Sequence, residues 1–185
     1  MKQNKLIIVK VLKISYHPST RSYFIILKDE EGDDCISLSV GSSEAQSIAL
    51  ALESIEEKRP MTHDLICHLL SEIGFTLKRV RITELKDDVF YSVIDLESKK
   101  YGKYNIDARP SDAIAISLRE KAPILVADNL IKNPSFQTSI LSKSKNTINN
   151  KNILNKLKIR LKNAVKNEKY EVAAEIRDKI KNIEN

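Results

Sequence analysis

Apolar positions along the chain recur with two different periods. Residues 5–14 (KLIIVKVLKI) and 22–28 (SYFIILK) are β-branched and apolar, which predicts strands, with a turn at His17-Pro18-Ser19-Thr20 between them. A second turn at Asp29 to Asp33 leads to a predicted strand over 34–40 (DCISLSV), so the first three strands read as an antiparallel meander. The period then becomes helical. Ala45, Ile48, Ala49, Leu52 and Ile55 predict an amphipathic helix over 43–57, with Ser43 and Gln46 spaced as a capping box and Arg59-Pro60 as its breaker. A second helix is predicted over 63–73, capped by Thr62 and stopped by Gly74, with Leu65, Ile66, Leu69, Leu70 and Ile73 on its apolar face. Strands follow at 76–85 (TLKRVRITEL), 89–97 (VFYSVIDLE) and 103–107, turned by Lys86-Asp87-Asp88 and by Lys99 to Gly102. Pro110 suits the first turn of a helix over 111–120, and 124–127 is a last apolar run. Hairpins mixed with helices, without strict βαβ alternation, predict an α+β fold with a mostly antiparallel sheet and packed helices.

After Phe136 the pattern changes. Residues 137–152 are rich in Ser, Thr, Asn, Gln and Lys, which reads as a polar linker. Helical spacing returns at Ile153, Leu154, Leu157, Leu161 and Val165, breaks near Lys166-Asn167, and resumes from Tyr170 to Ile183. The expected organisation is an α+β domain over 1–136, a linker over 137–152 and a helical hairpin over 153–185. A hairpin with one apolar face buries little alone, so pairing with a second copy or a partner is expected.

Charge follows this division. The net charge is +6, yet residues 141–185 hold twelve Lys and Arg against five Asp and Glu, which leaves 19 basic and 20 acidic residues in the rest. The basic character belongs to the tail, and the α+β part offers no overall pull on a polyanion. Two cysteines without metal-ligand spacing suggest buried thiols in a reducing, cytoplasmic compartment. The N-terminal apolar patch is interrupted by Lys10 and Lys13, so no membrane span is expected there.

Three central segments are more specific. They are Arg59-Pro60-Met61-Thr62-His63-Asp64-Leu65; Ile82-Thr83-Glu84-Leu85 followed by Val89-Phe90-Tyr91; and Ile106-Asp107-Ala108-Arg109-Pro110-Ser111-Asp112-Ala113-Ile114-Ala115, closed by Ala122-Pro123-Ile124. Together they resemble the bifunctional nuclease family over about residues 5–136. The tail, through Ala164-Val165, Tyr170-Glu171, Ala173-Ala174 and Arg177-Asp178-Lys179-Ile180, resembles the UVR motif of the UvrB and UvrC excision-repair proteins. The resemblance implies a nuclease acting on DNA or RNA, linked by its hairpin to DNA repair or a stress response.

Phosphodiester hydrolysis needs an activated water, neutralised phosphate charge and a protonated leaving oxygen. Carboxylates holding Mg2+ or Mn2+, a histidine and arginines supply such groups. The matched segments contain His63, Asp64, Asp107, Arg109 and Asp112 as candidate catalytic residues. Arg79, Arg81 and Arg109 are candidates for substrate binding, and Glu84, Asp107 and Asp112 for a metal. Structural readings stand beside these: Asp64 and Asp112 complement helix dipoles, and Arg79 and Arg81 line a solvated strand face. Expected partners are nucleic acid and a UVR-type protein, with a homo-oligomer expected. The alternative function is a non-enzymatic interaction or ligand-binding module that docks through the hairpin.

Overall fold

The computed structural model describes residues 5–18 and 21–133. The chain divides into two units, Met1–Thr138 and Ser139–Asn185. The second, with the expected linker over 137–152 and hairpin over 153–185, lies outside the described residues.

The first unit is α+β, with a mostly antiparallel sheet and helices packed on it. Its elements in chain order are β1 (Leu6–His17), β2 (Ser22–Asp29), β3 (Cys35–Val40), α1 (Ser42–Leu52), α2 (Thr62–Glu72), β4 (Thr76–Lys86), β5 (Val89–Ser98), β6 (Gly102–Ala108), α3 (Pro110–Glu120), β7 (Ile124–Ala127) and the single turn α4 (Asp128–Ile131). The strands form one seven-stranded sheet in the order β3-β2-β1-β7-β4-β5-β6. Every pairing is antiparallel except β4 with β7. The two hairpin systems β1–β3 and β4–β6 are thus joined by a short strand supplied from beyond α3.

One face of the sheet carries the core. Ile25, Leu27, Ile36, Leu38, Val80, Ile82, Ile94, Leu96, Ile124 and Val126 form a single cluster with Ile48 of α1, Cys67 of α2 and Ala113 to Ile116 of α3. Aliphatic β-branched residues suit this role because they fill the pleated surface with little rotamer freedom to lose. Strand alternation sends the intervening residues to the opposite face. Cross-strand partners share a face, so the paired positions Ile8, Leu125, Arg81, Val93 and Asp107 form one row across it.

Several local expectations are corrected. His17 belongs to β1, which is longer than expected and takes a bulge between Val11 and Lys13. α1 ends at Leu52 and not near residue 57. Ser54 is left-handed (φ 52°), its N–H bonds Ala51 O, and the Ile55 N–H bonds Leu50 O, which together make a Schellman motif closed without glycine. The N-cap of α1 is Gly41, with no side-chain cap from Ser43. Met61, not Thr62, caps α2, and its N–H donates to the Asp64 carboxylate at 2.8 Å. Gly74 (φ 79°) closes α2 by the same Schellman pattern, and Pro110 occupies the first position of α3, both as expected. Asp87 and Asp88, at φ 51° and 60°, make the two-residue hairpin turn whose twist matches the β4–β5 ribbon.

Candidate active site

Two helix starts bring the site together. The chain leaves β6 at Ala108, whose carbonyl accepts a hydrogen bond from the buried hydroxyl of Ser92 on β5. Arg109 then caps α3, and Asp112 falls in its first turn. α2 begins beside it, with His63 and Asp64 in its first turn.

His63 is the link between α1, α2 and α3. Its Nδ1 lies 2.8 Å from Ser47 Oγ on α1, and its Nε2 lies 3.2 Å from Asp112 Oδ1. Arg109 donates to the same carboxylate through Nε at 2.7 Å and Nη2 at 3.0 Å. The remaining Nη1 reaches Glu44 Oε1 of α1 at 3.2 Å. A hydroxyl, an imidazole and a carboxylate in line suggest a nucleophilic triad, but Ser47 is only 2% exposed. A buried hydroxyl cannot meet a polymeric substrate, so Ser47 orients the ring. Arg109, at 67% side-chain exposure, is the group that faces solvent.

Asp64 is held differently. Both its oxygens are used, one by the Met61 N–H and one by Arg119 Nε of α3. Arg119 also donates through Nη1 to Ser47 O at 3.2 Å and to Ala115 O at 2.9 Å. The ion pair borders a cavity of about 540 Å³ between α1, α2 and α3, lined also by Leu50, Cys67, His68 and Leu118.

These contacts set the electrostatics. The Arg119 hydrogen bond holds the Asp64 carboxyl below its ordinary pKa. For Asp112, burial works to raise the pKa, yet the hydrogen bonds and charges of Arg109 and His63 outweigh it and the net shift is downward. Burial pushes the Cys67 thiol up to about 12, with Glu120 adding to the effect.

The sequence-derived candidates separate into two groups. His63, Arg109 and Asp112 come together, and Asp64 lies one residue along α2 from His63. Asp107, Glu84, Arg79 and Arg81 lie elsewhere. Asp107 is exposed on β6, on the sheet face opposite its neighbour Ile106, which pairs with the core residue Ile94. Glu84 pairs with Tyr91, and β5 lies between it and β6, a separation of roughly 10 Å at ordinary strand spacing. Arg79 and Arg81 converge on Asp95, with Nε contacts of 2.6 and 2.8 Å and a further Arg81 Nη2 contact at 2.6 Å. Burial opposes ionisation of Asp95, but the hydrogen bonds of Arg81 and then Arg79 bring its pKa down.

The expected metal set of Glu84, Asp107 and Asp112 therefore does not converge. Among the described residues no three His, Cys, Asp or Glu side chains are grouped to hold a metal ion. The Asp112 oxygens already accept from Arg109 and His63, and a guanidinium occupies the position a cation would take. These residues do not fit a resident Mg2+ or Mn2+.

Sequence reasoning missed Ser47, Glu44, Arg119 and Asp95. Each lies inside a regular helical or strand pattern. A polar residue on the buried side of an apolar helix, as Ser47 is on α1, was the one available hint. No described helix is long and apolar enough to cross a membrane.

Comparison with known proteins finds two family matches in the chain. The bifunctional nuclease domain matches residues 25–139, and the UvrB/UvrC motif matches residues 151–185. An uncharacterized protein of Mycobacterium tuberculosis is 35% identical over 123 residues, covering 66% of this chain and 73% of its own length. Bifunctional nuclease 1 of Oryza sativa subsp. japonica is 35% identical over 112 residues, covering 58% of this chain but 34% of the rice protein. Bifunctional nuclease 2 of Arabidopsis thaliana is 29% identical over 106 residues, 55% of this chain and 32% of its own. With its domain match spanning more than half of its length, and with a UvrB/UvrC motif behind it, the chain belongs to the bifunctional nuclease domain family.

Proposed function

We propose that the protein hydrolyses phosphodiester bonds of DNA or RNA at the cluster of His63, Arg109 and Asp112. The observation that carries this reading is the histidine–carboxylate–guanidinium contact at the paired starts of α2 and α3, in a chain of a nuclease family. Arg109 is the exposed cation for a non-bridging phosphate oxygen. His63, once its contact with Asp112 opens, is the group for proton transfer, with Ser47 still holding its Nδ1 and Asp112 keeping Arg109 in place. Asp64 and Arg119 position the start of α2. The UvrB/UvrC motif supports a role in DNA repair or a stress response, in the cytoplasm, through a partner protein or a second copy.

Mg2+ or Mn2+ dependence belongs to the proposal on the chemistry of phosphodiester hydrolysis, not on a donor set in the fold. The test is cleavage of single-stranded DNA, duplex DNA and RNA by the full chain, with Mg2+, with Mn2+ and with EDTA, beside His63→Ala, Asp112→Asn and Asp107→Ala. The expected result is cleavage reduced about a hundredfold or more in the first two variants and retained in Asp107→Ala. Equal cleavage by wild type and by His63→Ala would overturn the assignment of the site. Loss confined to Asp107→Ala would move the site to the open sheet face.

A second reading, a non-enzymatic docking module, draws on α2. Leu65, Leu69 and Ile73, expected on its apolar face, are 51%, 53% and 55% exposed, whereas Cys67 is buried and Ile66 and Leu70 lie against the core. An apolar stripe left in solvent suits a protein partner. No cleavage by the wild type on any substrate would favour this reading.

A further inference from the structure

β6 is an edge of the sheet, and it is built unlike the opposite edge. Every residue from Gly102 to Asp107 is exposed, whereas Cys35, Ile36 and Leu38 of β3 are buried. β6 carries no proline, and its pairing with β5 runs from Ser98–Gly102 to Ser92–Ala108 without a register shift. Its outer backbone groups are unpaired among the described residues. Tyr104 and Ile106, 47% and 45% exposed, stand on the helix side, and Tyr104 packs edge-on to Phe75. Lys103, Asn105 and Asp107 stand on the other side. An edge strand in unbroken register with exposed apolar side chains is a template for another strand.

The sequence of β6 matches its own reverse. With Asn105 opposite Asn105 of a second copy, antiparallel pairing sets Gly102 opposite Ala108, Lys103 opposite Asp107, and Tyr104 opposite Ile106. Both charged pairs are then of opposite sign on one face, and both apolar pairs meet on the other. Lys103 is available for this, since its side chain is 82% exposed and its contact with Glu97 is long, at 3.8 Å. Asp107 is exposed and makes no ion pair or side-chain hydrogen bond among the described residues. We propose that a second copy of this chain docks on β6 in this register, giving a twofold dimer with a continuous fourteen-stranded sheet, twice the seven strands of one copy. Antiparallel cross-strand pairs of this kind are the unit of sheet stabilisation, and a twofold interface requires such self-complementarity. Seven residues of strand bury less than a permanent dimer needs, so the association is concentration-dependent, with a dissociation constant on the order of micromolar.

The test is sedimentation equilibrium of the 185-residue chain at low salt, comparing wild type, Lys103→Asp, Asp107→Lys, the double reversal and an equimolar mixture of the two single variants. Each single variant sets like charges opposite each other twice, and its self-association should weaken about tenfold. The double reversal restores both pairs and should associate as the wild type does. The mixture is the stricter arm. The Lys103→Asp copy is acidic at both positions and the Asp107→Lys copy is basic at both, so each charged pair between the two is of opposite sign. A heterodimer should therefore form at wild-type affinity even though each variant pairs poorly with itself. Melting temperatures matching the wild type show that the folds are intact. A wild type that stays monomeric, single variants that associate as tightly as the wild type, or a mixture that fails to complement would each overturn the proposal.

Discussion

His63 and Asp112 stand 49 residues apart in the chain, yet Nε2 of the first lies 3.2 Å from Oδ1 of the second. The contact joins the starts of α2 and α3, and through the Nδ1 contact with Ser47 it reaches α1 as well. It is at once a structural tie and the proposed reacting pair, so substitutions there affect two observables that can be separated.

His63→Gln keeps a polar side chain near Ser47 and Asp112, while His63→Ala leaves both without their partner. The expected loss of stability for the alanine variant is about 1–3 kcal/mol, with a smaller loss for glutamine. Cleavage should fall to the same background in both. Urea titrations beside turnover assays make the comparison; activity that tracks stability across the two variants would argue against a role for the imidazole in chemistry.

Arg119 and Asp64 are paired at 12% and 29% side-chain exposure. Arg119→Met removes the cation and leaves a half-buried carboxylate accepting only from Met61. The expected cost is about 2–4 kcal/mol. The Arg119→Met/Asp64→Asn double variant should lose less than the sum of the singles, because the neutral amide has no uncompensated charge to bury. Denaturant unfolding of the four proteins measures this coupling.

Acid sensitivity follows from the carboxylates. Asp64, Asp95 and Asp112 all have pKa values below the ordinary one in the folded chain. A depressed folded pKa contributes stability that is fully present above the unfolded value of about 3.9 and is lost as pH falls through the folded value. Stability from these groups should therefore be flat from neutral pH down to about pH 5 and fall steeply below about pH 4. Asp95→Asn should give a lower plateau and a shallower acid limb. Urea midpoints measured against pH check both; an unchanged acid limb would contradict the assignment.

Cys67 is buried, and its thiol is pushed up to about 12. At pH 8 the thiolate is then about one part in ten thousand. A disulfide reagent should modify Cys67 slowly in the native protein and rapidly in urea, with the native rate set by opening of the fold around α2. Rapid native labelling would show that the adjoining cavity gives the reagent direct access.

Much of the fold was legible because its signals are local. Aliphatic alternation marked the strands, Gly74 and Pro110 marked a helix stop and a helix start, and the hairpin turn at Asp87-Asp88 stood between its strands. The family-like segments also named His63, Arg109 and Asp112. The early stop of α1 was not legible, because Ser54 takes the left-handed position where glycine is the usual sign. The exposure of the Leu65, Leu69 and Ile73 stripe of α2 was not legible either, because periodicity marks an apolar face but not whether another element covers it.

By itself, then, the sequence determined the α+β class and the order of most elements, and it offered a set of candidate residues for phosphodiester chemistry. These follow from interactions within a few residues of each other: helix and strand periods, turn dihedrals and capping. Only the tertiary structure decided which candidates meet. Strand alternation put Asp107 on the sheet face opposite its neighbour Ile106, and away from Asp112 five positions later. Insertion of β7 between β1 and β4 joined two hairpin systems into one sheet. The packing of α1, α2 and α3 supplied Ser47 to His63 and Arg119 to Asp64, contacts spanning 16 and 55 residues. Convergence over such distances depends on topology, and no local period in the chain encodes it.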